Sequence, residues 1–361
     1  PGDLAAAVSA QACKRDRSMK ILVTGPAWVG DTVMAQVMFQ CLKEQHPHAV
    51  IDVLAPAWCR EILTRMPQVR HALALPIAHG ELAIGKRWKI ARELAAEQYD
   101  QAIVLPNSFK SALISRFAGI PQRTGWRGEA RGCLLNDCRR LDKQRYPLMV
   151  QRFAALAYPK DAELPATLPR PALQVDAMLV NAVRQRLQLQ SGAPVIALCP
   201  GAEFGSSKQW PVEHYASVAQ QCIRQGMQVW VFGSSRDNVV AEKIVGLSGA
   251  TAGIVNLCGH TTVGEAVDLL SQASVVVSND SGLMHAAAAL GVRQAALFGS
   301  SSPHHTPPLN PLASVLWLKD DPSYLPPLDC APCFERECPL GHTRCLVDVS
   351  PQRVSEALGL S

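Results

Sequence analysis

Lys20-Ile21-Leu22-Val23-Thr24, then Gly25-Pro26-Ala27-Trp28-Val29-Gly30-Asp31, then the run to Gln45: this stretch decides the fold. Its first five residues read as a β-strand. Its last part carries Met34, Val37, Met38, Cys41 and Leu42 at i, i+3, i+4, i+7 and i+8, the apolar face of a helix over about 31–45. Strand, Gly/Pro turn and amphipathic helix are the opening of a βαβ unit. The rhythm continues outward. Strands are expected at 50–54, weakly around Leu73 and Leu75, and at 102–105, with helices near 57–66 and 86–98. Such alternation predicts a parallel sheet covered by helices on both faces.

Pro159, Pro165, Pro169 and Pro171 interrupt the pattern and mark a linker. A helix over about 176–189 opens a second series. Its expected strands are Val195–Cys199, 228–232, Ile254–Asn256, 275–278 and 295–298; its helices lie near 212–225, 236–247, 263–271 and 282–290. The fold class is therefore α/β, two doubly wound domains, with ligands expected at the carboxyl ends of the strands in the cleft between them. The boundaries are a disordered extension (1–18), a first domain (19–170), a second domain (171–350) with a Cys-rich tail (330–345), and a terminal helix (351–361).

The 361 residues suit about two domains, and 48% hydrophobic with 18% charged is an ordinary globular composition. No apolar run approaches the ~20 residues of a membrane helix. The N-terminus lacks the order of a secretion signal, so a reducing cytoplasm and free thiols are expected. Residues 1–170 carry 24 Lys/Arg against 15 Asp/Glu, while 171–361 carry 11 against 15. The basic first half suits an anionic ligand or a membrane surface. It lacks the dense basic blocks of a nucleic-acid binder, so no nucleic acid is expected.

Four loops carry candidate chemistry. Asp31 opens the first helix, either as a helix cap or as a general base. Ser278-Asn279-Asp280-Ser281-Gly282-Leu283-Met284-His285 opens another helix, whose N–H groups suit a diphosphate, or which these polar residues merely cap. Cys199-Pro200-Gly201-Ala202-Glu203-Phe204-Gly205-Ser206-Ser207-Lys208 ends on a lysine that would neutralise phosphate, or that is simply exposed on a surface loop; Phe232-Gly233 forms a similar strand-to-turn edge. Arg123-Thr124-Gly125-Trp126-Arg127-Gly128, with Arg131, Arg139, Arg140, Lys143, Arg145 and Lys110, reads as a basic face for phosphate or carboxylate, or as a solvated loop. Separately, Cys330, Cys333, Cys338 and Cys345 crowd into 16 residues with His342. Their spacing fits a structural zinc or iron–sulfur site, oxidisable thiols, or unligated cysteines.

Together these segments resemble the lipopolysaccharide heptosyltransferases of glycosyltransferase family 9. The likeness is carried by Gly25–Asp31, Ala55-Pro56-Ala57-Trp58-Cys59-Arg60, 105–113, 123–128, 199–205 and 279–285, and runs from Met19 to near the C-terminus. The resemblance implies a GT-B fold and inverting transfer of L-glycero-D-manno-heptose from ADP-heptose to the first heptose of the inner core on Kdo and lipid A. It implies Asp31 as base and Lys208 as diphosphate or heptose contact. Gly201, Glu203, Phe232, Gly233, Asp280, Ser281, Gly282 and His285 are expected around the donor. Trp28, Gly30, Asn107, Ser108, Lys110, Arg123, Trp126 and Arg127 are expected around the acceptor. No catalytic cofactor or Asp-x-Asp metal clamp is expected, and the basic half suggests peripheral contact with the cytoplasmic face of the inner membrane. The tail from Cys330 to Cys345 departs from the enteric members. An epimerase and a catalytically silent nucleotide-sugar scaffold are the competing readings.

Overall fold

The computed structural model describes residues 18–78, 80–250 and 252–360. The extension expected over 1–18 lies, but for Ser18, outside the described residues. The chain divides into two units. One holds the residues up to Ala27 with Val37–Arg145 and Arg152–Pro169; the other holds Trp28–Gln36, Tyr146–Gln151 and the chain from Arg170.

In chain order the first series is β1 (Lys20–Thr24), α1 (Val29–Gln45), β2 (Val50–Ala55), α2 (Ala57–Leu63), β3 (Val69–Ala74), α3 (Ile84–Ala95), β4 (Gln101–Val104), α4 (Leu113–Phe117), β5 (Gln122–Trp126), β6 (Asp137–Arg139) and α5 (Met149–Ala154). Its strands make a six-stranded parallel sheet in the order β3-β2-β1-β4-β5-β6. Leu22, Leu54 and Ala102 of the sheet pack with Ala91 and Ile114 from α3 and α4.

The second series is α6 (Ala177–Arg186), β7 (Val195–Cys199), α7 (Val212–Arg224), β8 (Gln228–Val231), α8 (Asn238–Ser248), β9 (Ile254–Asn256), α9 (Val263–Leu270), β10 (Val275–Asn279), α10 (Gly282–Ala289), β11 (Arg293–Leu297), β12 (Ala313–Leu316), α11 (Arg344–Val347) and α12 (Pro351–Leu358). Its parallel sheet runs β9-β8-β7-β10-β11-β12, the same winding as the first. Alternate residues of one strand reach opposite cores. Ile196, Leu198, Val275 and Val277 pack on one face, Val195, Ala197 and Val276 on the other. A strand buried on both faces reads as a continuous apolar run, which is why this series was legible.

In each sheet the winding reverses between two central strands, β1/β4 and β7/β10. Ligands of doubly wound sheets bind beyond the carboxyl ends of such a pair. The basic segment 123–126 forms β5 rather than a loop. Thr124 is buried there, its hydroxyl donating to Asp137 (3.0 Å) and accepting from Gln101 Nε2 (3.1 Å). Polar residues satisfied inside a sheet leave no apolar alternation to read.

Candidate active site

At the switch point of the second sheet, two loops follow β7 and β10 and are tied by one buried amide. The Asn279 side chain donates to the Pro200 carbonyl (2.8 Å) and accepts from Trp210 N–H (3.1 Å) and the Tyr215 hydroxyl (3.1 Å). It is fully buried and does not cap α10. The sequence reading placed Asn279 at a helix start and missed this hub.

The loops carry a half-buried ion pair, Lys208 Nζ to Asp280 Oδ2 at 2.5 Å. The ammonium also lies 5.0 Å from the Phe204 ring centroid. Asp280 thus holds the lysine in place.

Asp31 belongs to the same unit. It stands inside the first turn of α1 and caps nothing. Thr32 N–H and hydroxyl both reach back to the Trp28 carbonyl, at 2.9 Å each. Among the described residues no hydrogen bond to the Asp31 carboxylate is formed. Burial pushes that carboxyl up to about 6; the Lys208 charge opposes the rise and the Asp280 charge adds to it. His285 is buried, and desolvation pushes its imidazole down to about 4, so the ring is neutral at pH 7.

The first turns of α1 and α10 approach closely through glycines. A Cβ on Gly30 would stand 2.8 Å from His285 Cδ2, and one on Gly282 would stand 2.8 Å from Val29 Cβ. Both glycines expected at ligands therefore serve this contact. Ser281 is the cap residue of α10 without a side-chain cap bond; its hydroxyl pairs with Ser278 at 3.1 Å.

The remaining donor candidates separate. Gly201 and Gly233 make room for Asp237, whose Oδ2 would lie 3.0 Å from a Cβ at either position. That carboxylate accepts from Ser234 N–H and hydroxyl, both at 2.8 Å, a capping box signalled by Ser234-x-x-Asp237 and missed in sequence. Glu203 is exposed and pairs with Arg236 (2.6 Å). Phe232 is 1% exposed and its side chain packs in the core.

The first unit corrects the acceptor set. Trp126 is buried, its indole N–H donating to the Arg152 carbonyl (3.1 Å). Arg123 is spent on the carbonyls of Leu134 (2.7 Å) and Ile120 (2.5 Å). Arg131 is fully buried, donating to the carbonyls of Trp126 and Pro106 and to Asn107 Oδ1 (3.1 Å). Arg139 pairs with Asp137 (2.6 Å). The basic face thus loses three arginines to structure. Exposed Asn107, with Ser108 and Lys110, lies beyond β4; exposed Arg127 follows β5. A Cβ on Gly128 would lie 2.5 Å from the Asn107 carbonyl oxygen, so the two loops touch. Among the described residues Lys110 and Arg127 form no ion pair. Trp28, in the second unit, is 47% exposed.

Cys330, Cys333, Cys338 and Cys345 line one cavity of about 20 Å³ together with His342, Ser207 and Ser300. Among the described residues no group of three or more His, Cys, Asp or Glu is gathered to hold a metal ion. Burial raises the Cys338 thiol, but the N–H groups of Thr343, Leu340, His342 and Gly341 outweigh it and bring it below the ordinary thiol value.

Comparison with known proteins settles the family. The pattern described as "Glycosyltransferase family 9 (heptosyltransferase)" matches residues 87–344. The chain belongs to glycosyltransferase family 9. Its relatives include "Lipopolysaccharide heptosyltransferase 2" of Escherichia coli K12, 47% identical over 94% of this chain and 97% of that protein. "Lipooligosaccharide heptosyltransferase 2" of Haemophilus ducreyi is 44% identical over 94% and 98%. The solved "Structure of E. coli ADP-heptose lps heptosyltransferase II" superposes with a TM-score of 0.84 at 44% identity, covering 94% of this chain and 98% of that one. This family 9 member is a glycosyltransferase of the GT-B type, which sets aside the epimerase and silent-scaffold readings. Among the described residues no helix is long and apolar enough to cross a membrane.

Proposed function

We propose that the enzyme transfers L-glycero-D-manno-heptose from ADP-heptose to the first heptose of a lipid A-linked inner core, with inversion, in one displacement. As the acceptor hydroxyl oxygen bonds to the anomeric carbon, the bond from that carbon to the diphosphate oxygen breaks. The hydroxyl proton passes to the Asp31 carboxylate. ADP leaves with its charge balanced by Lys208 and by the N–H groups opening α10.

The observation that carries this reading is Asp31 itself: a carboxylate with no hydrogen bond, near the half-buried Lys208, with a raised pKa. A free aspartate near pKa 3.9 is a weak base; desolvation makes this one stronger while leaving it ionised at pH 7. Asp280 keeps Lys208 in place, and neutral His285 adds no charge that would hold ADP back. Asn107, Ser108, Lys110 and Arg127 are the groups we assign to the phosphates and carboxylates of the acceptor. No cofactor takes part in the transfer in this reading, and a structural ion at the four tail cysteines would stand outside it. The basic first half would rest on anionic lipid at the cytoplasmic face of the inner membrane.

The test is ADP release from ADP-heptose in EDTA, with lipopolysaccharide truncated after its first heptose as acceptor and the product weighed by mass spectrometry. One added heptose is expected. Donor binding without turnover on that acceptor would overturn the assignment. Flotation with anionic vesicles checks the membrane contact, which should weaken as salt is raised.

A further inference from the structure

The transfer reaction makes no use of α3, yet the outer side of this helix carries an apolar edge. Its buried residues are Arg87, Ala91 and Leu94, and the last two join the core with Ile114 and Ile120. Ile84, Trp88 and Arg92 recur at i, i+4 and i+8, which sets them along one side of the helix. Ile84 is 55% exposed and Trp88 50%; Leu82, just ahead of the helix, is 47% exposed. Single exposed apolar residues are ordinary, but several on one edge rimmed by charge mark a surface that meets a partner. The rim is Lys89 and Arg92 of α3 and Arg116 of α4, all exposed. Among the described residues none of these three cations forms an ion pair. Of the nearby carboxylates, Glu81 is paired with Lys86 (3.2 Å), and Glu93 stands half a turn round the helix from Ile84.

The edge is held in shape from beneath. The buried Arg87 guanidinium donates to the carbonyls of Leu82 (2.7 Å) and Glu81 (3.2 Å), which fixes the loop that presents Leu82. The chain enters α3 through Ala83 at a φ of +44°, a left-handed conformation that alanine keeps only where its surroundings impose it. The Trp88 ring packs edge-on against Phe117, with centroids 5.4 Å apart. Among the described residues its indole N–H donates to no protein group. A half-exposed indole with a free N–H suits the boundary between hydrocarbon and headgroups.

We propose that Leu82, Ile84 and Trp88, with Lys89, Arg92 and Arg116 around them, form the surface by which the first unit lies on an anionic phospholipid bilayer. Shallow apolar insertion combined with cations at the headgroups is how interfacial helices hold a membrane. A protein partner is a poorer match, because three half-exposed side chains fall far short of the ~800 Å² per partner of a stable protein interface. Position favours the bilayer too. Helices of a parallel βαβ sheet run back against the strands, so the start of α3 lies at the carboxyl edge of the sheet. Asn107, Ser108, Lys110 and Arg127 follow β4 and β5 at that same edge. A lipid-linked acceptor would meet those loops without leaving its bilayer. The inference rests on the lipid contact proposed above and assigns it to one helix.

The experiment floats the full chain with vesicles of phosphatidylethanolamine and phosphatidylglycerol, free of lipopolysaccharide, at low salt. The double variant Lys89→Gln/Arg92→Gln alters two exposed, unpaired side chains and should lower vesicle partitioning roughly 25-fold. Trp88→Ser should lower it about tenfold. Brominated acyl chains should quench the wild-type tryptophan fluorescence, and Trp88→Phe, which still floats, should lose most of that quenching. All three variants should transfer heptose to a deacylated, soluble acceptor at the wild-type rate. A floating wild type with a double variant and a Trp88→Phe that behave like it overturns the α3 surface and leaves the lipid contact standing. A wild type that never floats overturns the lipid contact and the α3 surface with it. A double variant that loses flotation and soluble-acceptor transfer together puts the two cations in the acceptor site and overturns the surface. Flotation through α3 by a chain that transfers no heptose supports the surface and counts against the transfer reaction alone.

Discussion

The first sheet, β3-β2-β1-β4-β5-β6, has around it a surplus of arginines, and most of those in its basic segment are bound to the protein's own carbonyls or to Asp137. The second sheet has the same winding and fewer basic residues, yet at its switch point one lysine, two carboxylates and a neutral histidine stand together, largely shut off from water. Net charge therefore misjudges both regions. A solvated or carbonyl-bound arginine does little to a substrate. A single ammonium in a desolvated pocket does much more, because the water that would screen it is gone.

The largest effect expected from this contrast is at Asp31. Asp31→Asn should lower kcat by at least ~10²-fold, and it should also stabilise the fold. The folded pKa, about 6, lies above the unfolded value, so the charged form is penalised in the native state. That penalty is absent below the unfolded pKa and grows as pH rises to about 6. Removing the charge should therefore add up to ~3 kcal/mol near pH 8, seen as a higher urea midpoint. A variant both inactive and less stable would make Asp31 a structural residue.

Next is the ion pair. Lys208→Met leaves Asp280 buried without its partner and should cost about 3 kcal/mol. Adding Asp280→Asn should restore much of that stability but none of the activity. Recovery of activity would show that Lys208 is a structural cation.

The first unit offers the matched pair of arginines. Arg131→Met orphans several carbonyls and should cost roughly 2 kcal/mol. Arg127→Ala, at an exposed position, should leave urea stability unchanged and raise acceptor KM a few-fold, about 1 kcal/mol or less. Equal stability losses at the two positions would erase the distinction between spent and available charge.

Val195–Cys199 was legible because both its faces are buried, and the half-buried edge strand Ile254–Asn256 also falls where its apolar run put it. β5, β6 and β12 were not. β5 is Gln-Arg-Thr-Gly-Trp, held by hydrogen bonds and a close glycine rather than by an apolar pattern. At the site, Asp31 and Lys208 were legible as motif residues, but their partnership with Asp280 was not. It joins positions 72 apart in sequence, and nothing local in either loop announces it. Asn279 read as a helix cap, and only tertiary contacts show that it ties two loops. Asp237 drew no reading although Ser234-x-x-Asp237 is a local capping-box signal, and only tertiary contacts show that it fills the space left by two glycines. Gly30 and Gly282 read as ligand-approach glycines, whereas the close neighbour of each is protein.

The most direct test of the central claim is the pH dependence of kcat/KM for heptosyl transfer by the wild type and Asp31→Asn, measured from pH 4.5 to 9. A desolvated Asp31 acting as base predicts an acidic limb with a midpoint near 6 in the wild type, and a flat, low profile through that region in the variant. The same limb surviving in Asp31→Asn, or a wild type at full rate down to pH 4.5, would contradict it.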